Sequence, residues 1–65
     1  MKQNKILNLI NIAKKDLKKW LYYADVQNLE EFYKKSEAIK IHSYHTYTEV
    51  IDHLSYIKKL ESLNV

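Results

Sequence analysis

Apolar residues recur along the first third of the chain at a helical spacing. Ile6, Ile10, Ala13, Leu17, Trp20 and Ala24 are separated by four, three, four, three and four positions, so they form one stripe on a 3.6-residue helix. Leu9 and Leu21 widen that stripe, and Ile12 and Tyr23 lie further round. The pattern predicts a helix over 3–24, about 33 Å long at 1.5 Å per residue. Apolar positions this widely spread need more than one neighbouring helix to cover them.

The stripe stops at Asp25-Val26-Gln27-Asn28. Asp and Asn bond nearby backbone amides and so favour turns. Asn28 followed by Glu31 has the spacing of a capping box, which predicts a second helix from Leu29. A further break is expected within His42-Ser43-Tyr44-His45-Thr46-Tyr47-Thr48, a run of middling or poor helix formers. Thr46 and Glu49 form another capping-box pair, in register to start a helix at Tyr47. Phase argues the other way. Leu29, Phe32, Tyr33 and Ile39 share a face, and Tyr47, Val50, Ile51, Leu54 and Ile57 continue it if the helix runs straight through.

Two all-α architectures follow for residues 1–65, read as one domain. One is a three-helix bundle over 3–24, 29–41 and 47–63. The other is a hairpin whose second helix runs unbroken over 29–63 and dimerises to cover its stripe. The three-helix bundle is favoured. Two helices alone leave half of each apolar arc in water.

Composition narrows the chemistry. With 65 residues and no Gly, Pro or Cys, the chain buries only about 60% of its unfolded surface. It has no disulfide or thiolate site to staple it. Glycine loops that cradle phosphate and nucleophile elbows are excluded. Little core remains to enclose a catalytic pocket, so no enzyme, cofactor or metal is expected. The 11 cations are all Lys, set against 8 acids for a net charge of +3. The absence of Arg removes the bidentate fork preferred for phosphate and guanine. The longest uncharged run near the start is Ile6 to Ala13, too short and polar for a membrane span or signal segment. A cytoplasmic protein is expected. Its wealth of Lys, Asn, Ile and Tyr, residues with AT-rich codons, suggests a low-GC bacterium, a phage or a mobile element.

Three constellations remain. Asn4, Asn8, Asn11, Lys15, Lys18, Lys19 and Tyr22 cluster on one arc of helix 1, opposite the apolar stripe and with no carboxylate among them. Such an arc suits a phosphate backbone, although a solvated face is the plainer reading. His42, His45, Glu49 and His53 would line one face of a continuous helix. Four groups strung along about 16 Å cannot share one ion, so a polar stripe is the plainer reading there too. Finally, 6 of the 65 residues are Tyr. Tyr33 and Tyr47 fall on expected core faces, whereas Tyr22, Tyr23, Tyr44 and Tyr56 do not. Exposed rings bury much area at low entropic cost, which suits an interface.

The sequence therefore points to a non-enzymatic regulator or inhibitor that binds another protein through Tyr22, Tyr23, Tyr44, Tyr56 and Ile12, and that can also pair with itself. The alternative is a small dimeric RNA- or DNA-binding protein using Asn4, Asn8, Asn11, Lys15, Lys18 and Lys19. No membrane partner is expected, and no motif marks a known family.

Overall fold

The computed structural model describes the backbone of residues 2–63 and the side chains of residues 5–63. Four helices follow one another: α1 (Lys2–Tyr23), α2 (Leu29–Lys34), α3 (Ser36–His42) and α4 (Tyr44–Leu63). Among the described residues there is no strand.

The end of α1 is fixed without glycine. Asp25 takes a left-handed backbone, φ 61°, which Asp tolerates better than most residues. The Asp25 N–H donates to the Tyr22 carbonyl (3.0 Å) and the Val26 N–H to the Leu21 carbonyl (3.1 Å). That is a Schellman closure, and its usual apolar contact is supplied by Val26 and Leu21, both buried in the same core. Asn28 then caps α2, its Oδ1 accepting from the Glu31 N–H at 2.8 Å. Only this half of the expected capping box is formed. The Glu31 carboxylate instead lies 3.7 Å from the Lys35 ammonium.

The second expected helix, 29–41, is divided. Lys35 leaves helical geometry at φ −104°, ψ 10°, although hydrogen bonds span it: its N–H donates to Glu31 and its carbonyl accepts from Ile39. The arm is bent rather than cut. The next break falls on one residue, Ser43, at φ −146°, ψ 67°. The Ser43 N–H donates to Ile39 (2.7 Å) and its carbonyl accepts from Tyr47 (2.9 Å), so it closes α3 and opens α4 at once. This displaces the start expected at Tyr47. Thr46 lies inside the first turn and does not cap it. Thr48 donates its hydroxyl to the His45 carbonyl at 2.8 Å.

The long helices α1 and α4 pack antiparallel. Lys14 meets Glu61 at 3.9 Å towards one end, and the Trp20 ring meets His45 at 5.6 Å towards the other. The bent α2–α3 arm covers the Trp20 end. There Ala13, Leu17, Leu21, Val26, Phe32, Ile39, Val50 and Ile57 form the core. Phe32 and Val50 are 0% exposed, and Phe32 stacks on Tyr47 at 5.9 Å. Towards the other end only two helices remain. Ile10 and Leu60 are buried, but Leu7, Leu9, Ile12 and Leu63 reach solvent. The molecule is accordingly elongated, 42 × 19 × 16 Å. Two residues assigned to core faces are corrected. Tyr33 is 58% exposed and Ile51 also reaches solvent, because each lies about 100° round its own helix from the neighbour that takes the buried position, Phe32 in α2 and Val50 in α4.

Candidate partner-binding site

Eleven residues make three helical turns with only about 20° left over, so positions eleven apart share a side. Ile12 and Tyr23 are so related on α1, and His45 and Tyr56 on α4. Trp20 joins the two rows. Its ring lies edge-on to Tyr23 at 5.5 Å and to His45 at 5.6 Å. Because α1 and α4 run antiparallel, Ile12 and Tyr56 both lie further along this same side. The result is one side of the helix pair carrying Ile12, Tyr23 and Tyr56, exposed by 52%, 54% and 47%. The half-buried Trp20 lies behind Tyr23. Beside Tyr56 a shallow notch of about 200 Å³ is lined by Asp52 and His53. The His53 ring Nδ1–H donates to the Glu49 carbonyl at 2.7 Å, which fixes the wall of that notch.

The other two tyrosines of the expected binding set point elsewhere. Tyr22 is turned about 100° from its neighbour and touches it edge-on at 6.0 Å. Tyr44 lies at the α2–α3 end, stacked on Tyr47 at 6.4 Å. The structure thus gathers three of the five residues and disperses two.

Of the Lys/Asn arc, Asn8, Asn11, Lys15, Lys18 and Lys19 are exposed, while the Asn4 side chain lies outside the described residues. Among the described residues ion pairs form at Lys14, Lys34 and Lys35, and Lys15, Lys18 and Lys19 make none. The histidine row loses a member. His42 is on α3, beyond the Ser43 break, so it cannot continue the face of His45, Glu49 and His53. Among the described residues no three His, Asp or Glu side chains gather to hold a metal. Among the described residues no helix is long and apolar enough to cross a membrane.

One exposed aromatic escaped the sequence reading. Tyr33 stands at the edge of an apolar groove with Leu29 and Leu54, on the opposite side of the pair from Tyr23. No family model matches this chain, and no curated protein or solved structure does either.

Proposed function

We propose that the protein is a non-enzymatic regulator or inhibitor that acts in the cytoplasm by binding another protein. Its contact side is the one bearing Ile12, Tyr23 and Tyr56. The observation that carries this reading is the placement of two half-exposed tyrosines and an isoleucine from two helices on one side, with half-buried Trp20 behind and its ring edge-on to His45. Rigid aromatic anchors of this type dominate protein interfaces because their burial removes much apolar area and few rotamers. The α2–α3 arm acts as the third element of the bundle and holds the Trp20 end in place.

A second reading has a specific observation in its favour. Lys15, Lys18 and Lys19 are exposed and without ion pairs among the described residues, as a polyanion-binding face requires. Capture of partners on the immobilised protein, with and without nuclease, separates the two. A protein partner retained after nuclease and lost with Tyr23→Ala or Tyr56→Ala supports the first. Retention of nucleic acid alone, indifferent to the tyrosines, supports the second.

A further inference from the structure

On the side of the helix pair away from Tyr23 and Tyr56, α1 and α4 leave a groove of about 730 Å³. Leu17, Leu21, Leu54 and Ile57 line it between the two helices, and Leu29 and Tyr33 of α2 close one end. Its rim is charged. Lys14, Lys18 and Lys58 stand against a single acid, Glu61. Glu61 already faces Lys14 at 3.9 Å, so Lys18 and Lys58 remain uncompensated among the described residues. One lies on each flanking helix.

We propose that this groove docks an amphipathic helix of another protein, apolar on the seated face and acidic along both flanks. Two antiparallel helices with an open furrow present the seat of a third, and α2 occupies only its end. A seated helix lays its i, i+3, i+4 and i+7 face along half-buried Leu29 and Leu54 and exposed Tyr33, above a floor of Leu17, Leu21 and Ile57 that already belongs to the core. Its flanking carboxylates then fall opposite Lys18 on one side and Lys58 on the other. A second copy of this chain suits the seat less well, because its charge of +3 meets a basic rim. The site is independent of the Tyr23–Tyr56 side, so the chain has two faces with which to join two proteins.

The test is selection of a displayed library of helices about 18 residues long, long enough to be helical alone. Each carries a fixed apolar stripe, and Glu or Lys is allowed at every flanking position. The native chain should enrich Glu on both flanks. A Lys18→Glu, Lys58→Glu variant, altered only at exposed positions and so still folded by circular dichroism, should enrich Lys instead. Enriched helices should bind the variant about tenfold more weakly, since two flank pairs turn from attractive to repulsive. Tyr23→Ala should leave this binding unchanged, which separates failure here from failure of the Tyr-side reading. Absence of enrichment, or the same flank preference with both proteins, overturns the proposal. So does self-association of the native chain at micromolar concentration that the charge reversal abolishes, since the occupant is then a second copy.

Discussion

Single residues carry the turns that a chain without Gly or Pro must make. Asp25 stands at a left-handed position where glycine is the usual occupant. Asp25→Gly should raise stability by about 0.5 kcal/mol, the relief of the Cβ clash exceeding the added freedom of the unfolded chain. Asp25→Val should lower it by about 1–3 kcal/mol, because a branched side chain strains that backbone most. Urea midpoints of the two variants check both signs, and equal midpoints would refute the turn. Phe32 is fully enclosed and links α2 to Tyr47 of α4. Phe32→Ala should cost about 3–5 kcal/mol, comparable to the whole stability of a domain this small. The expected readout is loss of most helical signal by circular dichroism at 25 °C. Asp25 and Asn28 were legible as turn-makers, since their side chains favour such backbones wherever they occur. That Phe32 alone of its helix would be fully enclosed was not legible, because it depends on how the α2–α3 arm meets α4.

At the scale of elements, α1 was legible almost to its ends, since its stripe and its stop are both local. The second half was harder for a physical reason. Lys35 bends the arm while keeping its hydrogen bonds, and no residue type announces that. Ser43 makes a one-residue joint inside a run of seven poor helix formers, any of which was a candidate. The Thr46–Glu49 pair misled because a capping box is decided by which carbonyl takes the first helical bond, and here that is Ser43. The joint makes a sharp prediction for amide exchange. Tyr44, His45 and Thr46 begin a helix, where the first N–H groups have no partner within it, and they should exchange fast. Tyr47, bonded to Ser43, should be protected. Protection across all four would mean an unbroken helix through residues 42–47.

For the whole molecule, the uneven covering of the α1–α4 pair is the central fact. A three-element core at the Trp20 end holds the fold, while towards the other end both sides of a two-helix layer reach solvent. The proposed contact side rests on this apolar exposure. The sequence showed that tyrosines would lie outside the core. It did not show which of them share a side, since that required the antiparallel register of helices far apart in the chain. Ile12, Tyr23 and Tyr56 are the outcome. The most direct measurement is the affinity of the captured partner across a salt series for three proteins: native, Tyr23→Ala with Tyr56→Ala, and Lys15, Lys18 and Lys19 all changed to Gln. Removing the tyrosines should cost about 1–3 kcal/mol each, with little effect from the lysine changes. A partner that proves to be RNA or DNA, held equally by the tyrosine variant and losing about two to three units of salt slope in the lysine variant, would contradict the account.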